Sequence, residues 1–182
     1  MRCFQPPLFR FTGLLILALA ALPLSGRAGP RWFAGADIQY GIIGVGGETF
    51  DPVLLRLDGG WWLRRGMAIQ GRLGGNLRKD VQTGLSLKVP TLVALSLRLQ
   101  SPEDLGVKAY ALLGYSRFEL DGSVAGSAFP GRETFVGPTV SLGFLHPLGK
   151  AKRYSVSFEL NGYFADKDLD FGGIAMGLRR GY

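Results

Sequence analysis

Beyond residue 28, apolar side chains alternate with polar or small ones along most of the chain. The segment LSLKVPTLVALSLRL, residues 85–99, shows this pattern over its whole length. A period of two residues is that of a β-strand, in which successive side chains point to opposite faces of a sheet. No segment after residue 28 shows the period of an amphipathic helix. The sequence therefore predicts an all-β fold.

Eight segments with this alternation are separated by turn signals: 31–43, 53–63, 67–74, 85–99, 107–120, 134–146, 154–164 and 173–182. The connections after the second, fourth and sixth segments are tight, whereas the others are mostly longer and rich in Gly, Asp and Ser. This regularity predicts a closed eight-stranded antiparallel up-and-down β-barrel. Pro90 and Pro138 fall inside predicted strands, and each requires a bulge or a rim position because proline cannot donate to the ladder.

The polar faces of these segments carry charges of both signs. We expect these charges to line the barrel lumen in a nearly neutral, ion-paired set, although a solvated outer surface carries mixed charge equally well. The predicted lumen charges are Asp37, Arg56, Asp58, Arg72, Lys88, Arg98, Arg117, Glu119 and Glu159.

Aromatic residues on the apolar faces gather near the strand ends. The predicted girdle residues are Trp32, Trp61, Tyr110, Phe144, Tyr154 and Tyr182 toward the tight turns, and Tyr40, Phe118 and Phe164 toward the loops. At about 3.3 Å per residue and a tilt of about 40°, residues eight apart are separated by roughly 20 Å of height, close to the ~25 Å apolar band of a membrane barrel. The apolar faces are therefore predicted to meet lipid. The alternative is a periplasmic lipocalin-like barrel with these faces inward, holding an apolar ligand.

The N-terminus has the pattern of an export signal. Two arginines in MRCFQPPLFR precede the short apolar run FTGLLILALAALPL and small residues up to Ala28. We predict a signal peptide over 1–28, cleaved after Ala28, and a barrel domain over 29–182; a retained anchor helix is the alternative. The only cysteine, Cys3, precedes the apolar run, so the mature chain would contain no disulfide.

The segments VKAYALLGYSRFEL, YSVSFELNGYF and the terminal GIAMGLRRGY resemble strands of the small eight-stranded outer-membrane barrels of the OmpA/OmpX type. The resemblance covers residues 29–182 and implies an integral protein of a Gram-negative outer membrane, in contact with its lipid and lipopolysaccharide. In that family the terminal aromatic residue, here Tyr182, serves as a recognition signal for the barrel-assembly machinery.

No residue set indicates catalysis or metal binding. The only histidine, His146, lies on the predicted lipid face, and FLHPLG lacks the His–Ser dyad that the outer-membrane lipid A deacylases require. Acidic residues at 166, 168 and 170 and the charged residues at 78–80 are expected to be solvated, although the latter could meet lipopolysaccharide phosphates. A net charge of +7 without a reading motif does not indicate nucleic-acid binding.

We therefore expect no enzyme activity, no cofactor and a monomer. Because eight strands leave an interior just wide enough for side chains, the lumen should be filled. The expected role is structural, envelope-anchoring or surface interaction through the loops; a small channel is the alternative.

Substitution of Tyr182 tests the assembly signal. Tyr182→Asp should lower the yield of membrane-inserted protein, because a charged residue cannot replace an aromatic one at the headgroup level. Tyr182→Phe, the matched control, should be nearly silent. The measurement is the heat-shifted gel band in outer-membrane fractions, and equal assembly of Tyr182→Asp and the parent would contradict the prediction.

Overall fold

The computed structural model describes residues 32–45, 48–82, 84–102, 106–124, 127–149, 153–166 and 169–181. These form strands β1 (Trp32–Val45), β2 (Glu48–Phe50), β3 (Val53–Arg64), β4 (Met67–Arg78), β5 (Asp80–Gln82), β6 (Leu85–Lys88), β7 (Leu92–Gln100), β8 (Lys108–Val124), β9 (Ser127–Leu148), β10 (Tyr154–Asp166) and β11 (Leu169–Gly181). Within the described ranges no helix is long and apolar enough to cross a membrane. The predicted signal peptide, its cleavage site and Tyr182 lie outside the described residues.

The strands close into one antiparallel barrel. Each barrel strand pairs with its neighbours in chain order, β8 pairs with β9, and β1 pairs with both β3 and β11. Strands β6 and β7 both lie along β8 and together make a single stave, while β2 and β5 are short additions paired with β1 and β6. The barrel therefore has eight staves, and the predicted eight-stranded up-and-down fold is confirmed.

The two ends of the barrel differ in their connections. At one end, called the turn end, β1 begins and β11 ends. The pairs β3–β4, β7–β8 and β9–β10 are connected at this end. Each connection contains one glycine with positive φ: Gly66, Gly106 and Gly149, respectively. Glycine adopts this backbone conformation without the steric cost other residues incur. The opposite end is called the loop end. In outer-membrane barrels the short turns face the periplasm, so the loop end faces outward.

The connection predicted as a long loop at 121–133 is instead mostly strand. Strand β8 continues to Val124 and β9 begins at Ser127, with Leu120 paired to Glu133 and Asp121 to Arg132. The prediction was wrong because it took the glycines and serines of this segment as loop signals. These residues are also compatible with a hairpin, in which the two strands pair with each other. The ladder between β9 and β10 ends at Tyr163↔Thr139, so this hairpin continues beyond β10.

A bulge at Pro90 reverses the faces of one stave. Between the pairs Lys88↔Asp121 and Leu92↔Phe118, three residues on the β6–β7 side oppose two on β8. One extra residue shifts the inward positions by one. In β6 the odd-numbered residues therefore point inward, whereas in β7 the even-numbered residues point inward. Leu87 and Val89 are buried, which corrects the prediction that the apolar face of 85–99 is continuous.

Pro138 lies within β9 without a register shift toward β8. It is the first residue of β9 beyond the ladder with β10. Proline is tolerated at such a position because no residue of β10 is paired there and needs its missing N–H.

Deleting Thr91 should remove the extra residue and exchange the faces of β6, placing Lys88 inward and Val89 outward. We expect less folded barrel, because a one-residue slip exposes every inward side chain of that segment. The control, Pro90→Ala, keeps the residue count and should fold like the parent. Heat-shift gels of refolded protein give the folded fraction; an unchanged yield for the deletion would contradict the role of the bulge.

Candidate functional site: the ionic layer inside the barrel

The outer surface of the barrel is apolar on every stave. More than a third of the surface of each of the following outward side chains is exposed: Ile38, Leu57, Leu73, Leu95, Leu113, Leu142, Leu160 and Met176. Leu95 is the most exposed of them at 63%. A continuous apolar belt of this extent marks a surface that does not face water, and it matches the lipid-facing band of a membrane barrel. The lipocalin-like alternative, which needs these faces inward, does not fit.

The interior holds a layer of buried ionisable side chains, contributed by β1, β3, β4, β7, β10 and β11. None is more than 5% exposed: Asp37, Arg56, Asp58, Arg72, Arg98, Glu159 and Arg179. Buried charges are stable only when they are paired and hydrogen-bonded, so the layer must be built from mutual contacts. Arg179 was absent from the predicted lumen charges, although the alternation of the terminal segment places it on the same face as Ala175.

Arg56 has no exposed surface and lies at the centre of one half of this layer. Its Nε donates to Asp37 Oδ1 at 2.5 Å, its Nη1 donates to Gln39 and to the Tyr163 hydroxyl at 2.6 and 3.0 Å, and its Nη2 donates to Glu159 Oε1 at 3.2 Å. These acceptors come from β1 and β10, on opposite sides of β11. The guanidinium thus bridges the lumen.

Asp58 and Glu159 organise the other half of the layer. Arg72 Nε donates to Asp58 Oδ1 at 2.8 Å, and Arg72 Nη2 lies 2.6 Å from Glu159 Oε1. Arg179 Nη2 donates to Asp58 Oδ2 and to Glu159 Oε2, both at 3.1 Å. The Tyr110 hydroxyl donates to Glu159 Oε2 at 2.7 Å. Glu159 therefore accepts hydrogen bonds from Arg56, Arg179 and Tyr110, and it forms an additional ion pair with Arg72.

Arg98 is held differently. Among the described residues it pairs with no carboxylate; its Nη1 donates to Gln70 Oε1 at 2.9 Å and its Nη2 to Gln100 Oε1 at 2.9 Å. Its guanidinium carbon lies 3.7 Å from the ring centre of Tyr110 and 5.3 Å from that of Phe33. Cation–π contacts of this kind stabilise a cation that is removed from water. The described layer thus holds one more arginine than carboxylates.

Uncharged polar side chains complete the network. Gln39, Gln70 and Asn161 are buried; Arg72 Nη1 donates to Asn161 Oδ1 at 2.9 Å, and Gln70 Nε2 donates to Asp58 Oδ1 at 3.0 Å. Prediction from charge alone missed these residues. Their signal was available, because each shares the inward parity of a charged neighbour two residues away.

Apolar clusters lie on both sides of the ionic layer. Toward the loop end, buried side chains from eight strands pack together: Ile43, Phe50, Leu54, Leu87, Val89, Leu92, Phe118, Leu120, Tyr163, Leu169 and Phe171. Toward the turn end, Tyr110, Leu112 and Leu145 form a smaller cluster, and the Phe33 and Trp62 rings lie 5.3 Å apart. The Tyr163 hydroxyl, which donates to Gln39 Oε1, connects the ionic layer to the larger cluster.

The predicted faces of β8 were inverted. Tyr110 and Phe118 are 4% and 0% exposed and point into the barrel, so neither belongs to an aromatic girdle. Tyr110 is drawn inward by its hydrogen bond to Glu159, and the Phe118 ring packs 5.0 Å from that of Phe171. Arg117 is accordingly exposed on the outer surface.

Lys88 and Glu119 also lie outside the lumen. Lys88 Nζ is 3.1 Å from Asp121 Oδ2, and Arg132 lies 3.7 Å from Glu119 and 3.8 Å from Asp121. These side chains are on the outer wall of the loop end, where water replaces lipid and charges need no burial. Their assignment to the lumen was wrong because the inward face of β8 is the opposite of the predicted one and because the bulge at Pro90 changes which residues of β6 point inward.

The other predicted girdle residues within the described ranges are exposed on the outer surface: Trp32, Tyr40, Trp61, Phe144, Tyr154 and Phe164. Tyr115, 59% exposed, was not predicted. His146 is exposed on the outer face of β9.

At the loop end, Arg78 and Lys79 are exposed, and the Asp51 N–H donates to Asp80 Oδ2 at 3.1 Å, which lowers the pKa of the Asp80 carboxyl. Of the loop acids, Asp168 lies outside the described residues. In the described part of the chain, no three His, Cys, Asp or Glu side chains are grouped to hold a metal ion.

Replacing Glu159 with Gln should strongly destabilise the barrel, because it leaves buried arginines without their carboxylate. Breaking a buried ion pair from one side costs about 3–5 kcal/mol. The matched control, Glu133→Gln at the exposed loop end, should change stability by less than about 0.5 kcal/mol. Urea unfolding in lipid vesicles measures both, and an unchanged midpoint for Glu159→Gln would contradict a stabilising role of the layer.

Comparison with solved structures places the fold. Neisserial surface protein A matches with a TM-score of 0.69 at 13% identity, over 83% of this chain and 97% of that one. Ail of Yersinia pestis matches with a TM-score of 0.61 at 12% identity, over 84% and 99%. The N-terminal β-barrel domain of Pseudomonas aeruginosa OprF matches with a TM-score of 0.60 at 11% identity, over 84% and 98%.

No protein-family model and no curated protein match the sequence. At these identities the solved structures show the fold alone, and the apolar belt supplies the independent evidence for a lipid environment. The chain therefore has the fold of the small eight-stranded outer-membrane β-barrels and is an integral outer-membrane protein.

Proposed function

We propose that the protein is a non-conducting, non-enzymatic barrel that serves the outer membrane as a structural and surface-exposed component. The observation that carries this proposal is the position of Arg56, which has no exposed surface while bridging residues of β1 and β10 across the lumen. A side chain in this position occupies the path that an ion would take.

Two different barriers lie along that path. The ionic layer must lose several charge-assisted hydrogen bonds before a solute can pass, and such bonds are the strongest in proteins. The loop-end apolar cluster offers a permeating ion no replacement for its hydration shell. Either barrier alone disfavours conduction, and the two lie one above the other along the barrel axis.

The described polar residues also support a non-enzymatic role. Ser141 Oγ donates to Asn161 Oδ1 at 3.0 Å rather than to a base, and His146 lies on the outer face, away from the ionic layer. Nucleophilic catalysis needs a nucleophile and a base within hydrogen-bond reach. The interior charges contact one another, an arrangement that favours a structural role over binding of a substrate or cofactor.

The monomeric state is supported by the belt, which is apolar on all eight staves and so fits lipid on every side. A second role, surface interaction, is favoured by the β8–β9 hairpin. It continues past the end of the β9–β10 ladder and carries Asp121 and Arg132 at its outer wall, where Lys88 of the neighbouring β6 pairs with Asp121. The hairpin would be the part of the protein most accessible to molecules outside the cell.

Planar-bilayer recording tests the closed interior. The parent protein should give no stable conductance steps, because the ionic layer and the apolar cluster occlude the lumen. The double variant Arg56→Ala, Glu159→Ala removes one charge of each sign from the layer and should pass a measurable current if it folds. Leu142→Ala on the lipid face is the control for leakage caused by substitution alone, and a large, stable conductance of the parent would favour the channel alternative.

A further inference from the structure

Charged side chains outside the lumen are distributed unevenly between the two ends of the described barrel: basic residues lie at both ends, whereas acidic residues lie at only one. The acidic ones in the described ranges all lie toward the loop end: Glu48, Asp51, Asp80, Glu119, Asp121, Glu133 and Asp170. Those described at the turn end are all basic: Arg64, Arg65, Lys108, Arg153 and Arg180. The periplasmic rim of the described barrel is therefore positively charged.

One pair of these cations lies in the turn between β3 and β4. Arg64 and Arg65 are exposed, and Gly66 completes the turn with a φ of 79°. The Gly66 carbonyl accepts a hydrogen bond of 2.8 Å from the Gln100 N–H, which fastens the turn to β7. The two guanidinium groups thus project from an anchored turn rather than from a loose loop.

A second pair lies at the start of β10 and the end of β11. Arg153 is exposed and precedes Tyr154, whose register partner on β11 is Arg180. The Arg180 guanidinium lies 5.9 Å from the centre of the Tyr154 ring. Cation and ring therefore form one outward-facing unit on the outer wall, since Tyr154 is 50% exposed.

An exposed tryptophan pair separates the two arginine pairs. Trp32 and Trp61 are register partners on β1 and β3, 44% and 52% exposed. Since β1 also pairs with β11, the order around the rim is Arg153 and Tyr154, Arg180, Trp32, Trp61, then Arg64 and Arg65. Tryptophan and tyrosine prefer the headgroup level of a membrane, so the neighbouring arginines lie at the depth of the lipid phosphates.

We propose that this arginine–tryptophan rim, made of Trp32, Trp61, Arg64, Arg65, Arg153, Tyr154 and Arg180, binds the phosphate headgroups of anionic phospholipids in the periplasmic leaflet. Each Lys or Arg near an anionic membrane surface strengthens the attraction, and basic residues between interfacial aromatic side chains suit phosphate headgroups. A lipid is favoured over an acidic periplasmic protein because the aromatic side chains face outward from the barrel wall at the same level as the cations.

This proposal depends on the position of the barrel in the membrane and does not depend on whether the lumen is closed. The bilayer recording and the lipid experiment therefore test separate proposals, and either can fail without the other.

Intrinsic fluorescence offers a direct test. All three tryptophans of the chain, at positions 32, 61 and 62, lie at the turn end. The folded protein is inserted into phosphatidylcholine vesicles containing a small fraction of lipid with brominated chains, with either a phosphatidylcholine, a phosphatidylglycerol or a cardiolipin headgroup. Bromine quenches only tryptophans next to it. A headgroup that the protein selects will therefore give the same quenching at a lower mole fraction of brominated lipid than a headgroup that it does not select.

We expect the anionic lipids to reach half-quenching at a roughly fivefold lower mole fraction than brominated phosphatidylcholine. Molar salt should abolish the preference, because it screens charges beyond about 3 Å. If cardiolipin and phosphatidylglycerol reach half-quenching at the same concentration of phosphate groups, the rim selects single phosphates. If cardiolipin needs fewer phosphate groups, the rim has a site for two phosphates. Either result supports the proposal.

The variant Arg64→Gln, Arg65→Gln, Arg153→Gln, Arg180→Gln should lose the preference. The matched control removes four cations from the loop end: Arg78→Gln, Lys79→Gln, Lys88→Gln, Arg132→Gln. It should keep the preference, and heat-shift gels verify that both variants are folded. Equal quenching by all headgroups in the parent would overturn the proposal, as would an unchanged preference in the folded rim variant. If the rim variant does not fold, the salt dependence of the parent decides.

Discussion

The seam between β1 and β11 is the constraint on which the rest of the barrel depends. Its ladder runs from Phe33↔Gly181 to Val45↔Leu169 without a register shift. The bilayer core offers no hydrogen-bond partner to a strand edge, so an open sheet of the same strands would leave rows of unpaired N–H and C=O groups in lipid. Because the first and last described strands meet here, every intervening strand must be in place before the circle is complete.

Closure with eight staves sets the interior volume, and the side chains inside must fit one another within it. Large inward side chains are accommodated where a neighbouring strand has glycine. A Cβ on Gly143 would overlap the Tyr110 ring, and one on Gly60 would overlap the Phe33 ring. The high glycine content, 28 of 182 residues, is thus partly a packing requirement, because a closed circumference cannot widen to admit a bulky neighbour.

The alternation in the sequence was sufficient to predict the number of strands. It also predicted which face of a strand points outward wherever one face is strongly apolar and the other is charged. On β3, Leu55 and Leu57 stand opposite Arg56 and Asp58, and only one orientation avoids charge in lipid. On β8, by contrast, both faces carry apolar and aromatic residues, and the choice depends on Glu159, a residue of another strand that accepts the Tyr110 hydrogen bond. The bulge at Pro90 was equally inaccessible, because it exists only as a difference in residue number between two paired strands.

The β8–β9 hairpin extends beyond β10; there β9 pairs with β8 alone, whereas β8 up to Val124 also pairs with β6. Adding one residue to each strand of the hairpin tip, or removing one from each, leaves every pair nearer the membrane with the same partner and the same face. The exposed tip can therefore lengthen, shorten or change composition through such paired steps while the membrane-embedded wall keeps its geometry. In this respect the outermost part of the protein can diversify independently of the part that must remain compatible with lipid.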